Sequence, residues 1–186
     1  MIALLLCVAP TAFAHLELLD PPPRYGRDDL KDGPCGIFGG VRGETVRRYL
    51  PGEIVELRID EFIDHPSHYR VALDLDGDDD LADPECVANC DDERLPPPEF
   101  VDPEGVLVLG NFVDDDAVLQ TLTVTLPDVS CERCVLQVMQ VMYDKRPYEI
   151  GGNDNYYRCA DIAIGEGGEP DAGVEDAGVE DAGPAD

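Results

Sequence analysis

Three histidines occur in the 186-residue sequence, and their settings define the chemistry open to it. His15 follows Met1–Ala14, where the apolar run IALLLCVAP precedes Thr-Ala-Phe-Ala. Small residues at Ala12 and Ala14 form the A-x-A pattern of a secretory signal. The run is too short to cross a bilayer as a helix, and it lacks a Lys or Arg before it. The expectation is a signal peptide over 1–14, cut between Ala14 and His15. His15 would then carry an α-amine and an imidazole on one residue. Such a pair chelates a metal through two nitrogens, and an amine of pKa about 7.7–8 gives up its proton cheaply near neutrality. One more imidazole completes a planar, T-shaped set, and nitrogen-rich tetragonal sites favour copper. The remaining histidines, His65 and His68, lie together in IDHPSHYRVAL. On these residues alone a plainer reading stands beside the metal: a frayed N-terminal histidine and two solvated loop histidines.

Strands must position these groups. GEIVELRIDEFI (52–63), HYRVALDL (68–75), VLVLGNFV (106–113), LQTLTVTLP (119–127) and CVLQVMQVMY (134–143) are rich in β-branched residues and alternate in part. Pro, Gly and Asp clusters separate them. No stretch carries a long helical stripe. The fold class this predicts is all-β, an immunoglobulin- or fibronectin-like antiparallel β-sandwich with long loops. A Cys-Trp-Cys core is excluded, because there is no Trp. The domain should run over 15–164. The stretch 165–186 repeats DAGVE and is rich in acids, with no base and no aromatic. It cannot bury enough apolar surface to offset chain entropy, so a disordered tail is expected there.

Removing the signal also removes Cys7, leaving Cys35, Cys86, Cys90, Cys131, Cys134 and Cys159. An even set in an exported chain reads as disulfides, with fifteen possible pairings. The net charge of −28 argues against nucleic acid, which requires a basic footprint, and against anionic membranes. Neutral polymers such as cellulose or chitin stay open. The acids of DLDGDDDLADPE (74–85) are hard oxygen donors that suit calcium. The EF-hand spacing fails at Leu81, and a solvated acidic loop is the better account. Gln137 and Gln140 interrupt an apolar strand, so one of them could hydrogen-bond near a metal; otherwise they face solvent.

HLELLDPPPR (15–24) resembles the mature start of lytic polysaccharide monooxygenases. In bacterial chitin-active members this start reads H-G-x-x-x-x-P-x-S-R, and His15, Pro21 and Arg24 fall at its offsets; Leu16 and Pro23 depart from it. HPSHYRVAL is similar to the H-x-G-[YF]-[FY]-x-[FV] segment that carries the second copper histidine in animal members. On that register His65 is the ligand, His68 takes an aromatic position and Ser67 replaces Gly. CERCVLQVMQ resembles their C-x-x-C-V-L-Q-W strand, with Val138 for Trp. NYYRCADIAI resembles the closing strand, whose aromatic lies axial to copper. That maps to Tyr156, with Tyr157 as the fallback.

The resemblance implies a sandwich with one copper ion in a histidine brace of the His15 amine, the His15 imidazole and the His65 imidazole. It implies oxidative cleavage of glycosidic chains of the chitin or cellulose class, with an external electron donor, by a secreted or cell-surface monomer without a membrane span. Tyr156 would limit axial access, and Gln137 would support the site from its strand. Arg24 and Tyr25, beside the brace, would contact the polymer, with Tyr148 a further candidate. Tyr69 alternates with Val71 and Leu73 and is expected in the core. The expected bridges are Cys35–Cys159, Cys86–Cys90 and Cys131–Cys134. A secreted copper-binding or copper-delivery protein without activity on polysaccharide is the alternative, and a metal-free adhesion module is a third.

Overall fold

The computed structural model describes residues 16–63, 65–87, 100–101, 106–114, 117–142 and 148–166, with backbone alone at 86–87 and 100–101. Residues 1–14, expected as a signal, His15, Cys90, the Cys86 side chain and 167–186 lie outside the described residues, and so does the expected Cys86–Cys90 bridge.

All regular structure among the described residues is strand. The strands are β1 (Glu17–Asp20), β2 (Val46–Tyr49), β3 (Ile54–Asp60), β4 (Ser67–Asp74), β5 (Cys86–Val87), β6 (Phe100–Val101), β7 (Leu107–Val113), β8 (Leu119–Thr125), β9 (Cys131–Met142) and β10 (Asn155–Ile164). One sheet has the order β1-β3-β8, the other β2-β10-β9-β4-β7, and β5 pairs β6. The two larger sheets pack as a β-sandwich. Residues on β3 and β8 alternate strictly between exposed and buried. Their buried set, including Leu57, Ile59, Leu122 and Val124, meets Val71, Leu73, Leu136, Val138, Ala160 and Ile162 of the other sheet in one core. No helix among the described residues is long and apolar enough to cross a membrane.

The five-stranded sheet is covered on both faces. Every residue of β10 is buried, as is nearly all of β4 and β9. Its second face is closed by loops, which bring Cys35 and Leu81 against Ala72, Val135 and Cys159. This double covering leaves no polar-out alternation: even His68, Arg70, Gln137, Arg158 and Asp161 on these strands are buried.

The sandwich is not wholly antiparallel: β2 runs parallel to β10 over Asp161–Ile164. The first half of that edge is taken by the 24–30 segment, through Arg24 N–H to Cys159 O (2.7 Å) and Tyr157 N–H to Leu30 O (2.8 Å). Cys35 and Cys159 form a disulfide, Cα–Cα 5.0 Å, that fastens the same segment to β10. Next to it Gly36 has φ +101°, and an added Cβ would lie 2.2 Å from Asp29 O, so only glycine fits this turn. Cys131 and Cys134 are bridged at the start of β9.

Candidate metal centre

The antiparallel register of β1 on β3 pairs Glu17 with Asp60 and Leu18 with Ile59. The start of β1 therefore lies at the end of β3, where the chain turns through Glu61 towards His65 and β4. Leu16 is fully buried in the core. His65 is half-buried in that turn, and its backbone N–H donates to Glu61 Oε1 at 3.4 Å.

Val55, Leu57 and Ile59 point inward on β3, and Glu61 continues their parity into the core, 1% exposed. Its carboxylate is met from three strands. Gln140 Nε2 donates to Oε1 at 2.7 Å. The Tyr69 hydroxyl donates to Oε2 in a short contact. Gln120 Nε2 reaches Oε2 at 3.2 Å and also donates to Asp114. Ser67 Oγ bonds to Asp114 at 3.2 Å and accepts from Gln140 at 3.1 Å. Burial pushes the Glu61 carboxyl up to about 7, and the charge of Asp114 adds to this; the bonds from Tyr69 and Gln140 oppose it. Burial, with the adjacent Glu61, also holds the Tyr69 phenol well above its ordinary range. No donor among the described residues reaches Gln140 Oε1, which is buried. An acceptor left open inside a polar cluster is a place for a further N–H or a water.

The cross-sheet register sets Tyr156, Gln140 and Tyr69 in one row on β10, β9 and β4. Tyr156 is 3% exposed, with the Lys31 ammonium 3.3 Å from its ring centroid. Two residues on, Arg158 faces inward again. Its guanidinium donates to Leu16 O (3.1 Å), Gly26 O (2.6 Å), Asp29 O (3.0 Å) and Arg27 O (2.5 Å). At this end of the sandwich His65 and Gln140 both bond to Glu61, and Arg158 bonds to Leu16, the residue before β1.

Several residues singled out in the sequence lie elsewhere. Gln137 is on the opposite face of the sheet from Glu61. It donates to Pro34 O at 2.9 Å and accepts from Arg70 at 3.2 Å. Three residues along a strand reverses the face, so Gln140 and not Gln137 borders the site. Neither glutamine faces solvent. His68 also faces away, 2% exposed, one position before the inward Tyr69. The Arg24 side chain is 1% exposed and pairs with Asp161 (2.6 Å) and Asp79 (2.8 Å). Tyr25 donates to Val41 O at 2.5 Å, and Tyr148 to Pro84 O at 2.8 Å. In the acidic loop, Asp74 accepts from the backbone of Asp76, Gly77 and Asp79, while Asp83 accepts from Tyr157 and Gly151.

Glu61 and Arg158 escaped the sequence reading. The signal was available: both are charged residues at the core parity of their strands. Among the described residues no three His, Cys, Asp or Glu side chains gather to hold a metal.

No family model and no curated protein matches the chain. Solved structures similar to it are lytic polysaccharide monooxygenases. One is the monooxygenase from Thermobia domestica in its Cu(I) state, 20% identical, covering 71% of this chain and 70% of that one, TM-score 0.45. Another is a cellulose-active enzyme from M. thermophila, 12% identical, covering 73% and 60%, TM-score 0.45. A third is a cellulose-active enzyme in complex with copper, 12% identical, covering 64% of this chain, TM-score 0.39. The chain spans 53% of that last protein's length. Likeness at this level assigns no residue a role.

Proposed function

We propose that this protein is a secreted, copper-dependent oxidase of polysaccharide chains. Its metal would be held by the amine and imidazole of a processed His15 and by the His65 imidazole. The observation that carries this is the pairing of β1 on β3, which sets Leu16, the residue after His15, at the strand end from which the chain turns to His65. The open acceptor of Gln140 at the same end fits a ligand N–H or bound water. A copper ion there would supply one-electron chemistry with an external donor.

The chain's own residues do the rest. Glu61, with a carboxyl near 7, holds or releases a proton at Oε1 or Oε2 close to neutral pH. Gln140, Tyr69 and Gln120 fix its orientation. Tyr156 closes the inner side of the site and excludes water there, with Lys31 packed on its ring.

One observation favours the second reading, a copper-binding or copper-delivery protein. Among the described residues, the exposed large apolar side chains near this end are aliphatic: Ile63, Val113, Val118 and Leu119. Sugar faces stack on aromatic rings, so such a rim suits a protein partner better than a glycan.

Copper-loaded protein with ascorbate should be incubated with chitin and with cellulose. Oxidised oligosaccharides that vanish in His65→Ala support the enzyme. Bound copper with no product on any polymer, but passed to an apo acceptor, supports delivery. An N-terminus other than His15 by mass spectrometry removes both.

A further inference from the structure

Two loops lie side by side on the second face of the five-stranded sheet. One is the glycine-rich stretch CGIFGGVRG (35–43), the other the acidic loop of 74–83. At one end Cys35 Sγ sits 4.0 Å from Asp79 Oδ1. At the other, Arg42 donates to Arg133 O at 2.8 Å, and a Cβ on Gly77 would stand 2.2 Å from that same oxygen. Between these two clamps the first loop reverses, with Gly40 N–H donating to Ile37 O at 3.2 Å and Gly39 at φ +64°. Phe38 stands at the tip of that turn. It is 86% exposed, the most exposed large apolar side chain among the described residues, and Val41 follows at 73%.

An exposed apolar residue on its own means little. This tip, however, is held. The Cys35–Cys159 disulfide fixes its start, the Tyr25 hydroxyl donates to Val41 O at 2.5 Å, and Gly43 N–H donates to Asp161 at 2.6 Å. Gly40 lets the Tyr25 ring lie against the turn, because a Cβ there would come within 2.3 Å of the hydroxyl. The ordering cost of presenting Phe38 is therefore met before any partner arrives. Beside the tip run the exposed Asp76, Asp78 and Asp80, with the exposed Arg133 at their border. In a chain of net charge −28 such a surface repels an anionic bilayer and a second copy of itself, and attracts a cation.

We propose that Phe38 and Val41, with the carboxylates of Asp76, Asp78 and Asp80, form a docking surface for a basic protein segment that carries an apolar side chain. Phe38 is the anchor that becomes buried, and the carboxylates steer and orient the Lys or Arg of the partner. A glycan fits less well, because sugar recognition needs polar groups fixed around the ring, and the Tyr25 hydroxyl is already spent on Val41 O. The proposal stands apart from the copper reading. Arg42 anchors this loop at Ile162 O, whereas the turn holding His65 leads into β4 at the Asn155 end of β10.

The test titrates the full metal-free chain by calorimetry with three synthetic peptides: Lys with Leu, Lys with Ser, and Glu with Leu. The acids of 166–186 are common to all samples, so differences between variants report the loops. The Lys–Leu peptide should bind and should shift the amides of 36–42 and 75–81. Phe38→Ser should weaken it by about tenfold or more at an unchanged melting temperature. The variant Asp76→Asn/Asp78→Asn/Asp80→Asn, which spares the Asp79 pair with Arg24, should also bind more weakly and with a flatter salt dependence. The Lys–Ser peptide should bind about tenfold less tightly than Lys–Leu, and the Glu–Leu peptide not at all. Equal affinity for Lys–Leu and Lys–Ser, or no loss in Phe38→Ser, reduces the attraction to net charge and overturns the proposal. Chitosan or phosphatidylglycerol vesicles that shift the 36–42 amides where the Lys–Leu peptide does not give the surface to a glycan or a bilayer and overturn it too, as does a Lys–Leu peptide that fails to bind.

Discussion

Gln140 Nε2 lies 2.7 Å from Glu61 Oε1, joining the middle strand of one sheet to the end of the strand that β1 pairs with. The contact places an ionisable carboxyl inside the sandwich, and that has a measurable consequence. Glu61 binds its proton more tightly folded, at about 7, than unfolded, near 4.5. Between those values the folded state holds more protons, so this group makes stability fall as pH rises from 4.5 to 7. The span corresponds to about 3 kcal/mol. Denaturant unfolding of metal-free Glu61→Gln should show a gain over wild type at pH 8 that fades towards pH 4.5. A pH-independent difference would place the Glu61 pKa at its ordinary value.

The histidines separate by face. His65→Ala should abolish tight Cu(II) binding with little loss of fold, because it stands half-buried in a turn. His68→Ala, in a site 2% exposed on the other face, should cost about 1–3 kcal/mol and leave copper bound. Calorimetric titration with Cu(II) and thermal melts of both variants read the two effects apart. Loss of copper in His68→Ala alone would shift the ligand by three residues.

Arg24 should behave as part of the core. Arg24→Ala strands Asp161, whose side chain is fully buried, with only Arg42 at 3.2 Å and the Gly43 N–H at 2.6 Å. Breaking a buried pair from one side costs about 3–5 kcal/mol. The melt should record this, while polymer binding per folded molecule stays unchanged. Weakened polymer binding at unchanged stability would return Arg24 to the surface.

The Cys35–Cys159 bridge closes a loop with a sequence separation of 124 residues. On the chain-entropy model the Cys35→Ser/Cys159→Ser pair should lose about 4–5 kcal/mol. Cys131→Ser/Cys134→Ser, separated by three residues, should lose much less. Denaturant midpoints of the two double variants give the order. The long bridge also fastens the 24–30 segment, so its removal should speed amide exchange there.

Alternation in IVELRID and LQTLTVT carried the fold class, because each of these strands faces solvent on one side and the core on the other. The same reading failed on β9. There both faces are covered, so no polar-out pattern remains to show that Gln137 and Gln140 point opposite ways. The sequence by itself determined an all-β chain, a strongly acidic surface and a small set of nitrogen donors, since these depend on residue type and local spacing. Tertiary structure decided what surrounds them: that β1 meets the end of β3, that Arg24 is spent on Asp79 and Asp161, and that Glu61 and Arg158 face inward beside Leu16 and Gln140. Those contacts join residues far apart in the chain, and their partners are fixed by sheet order and register, which local sequence does not encode.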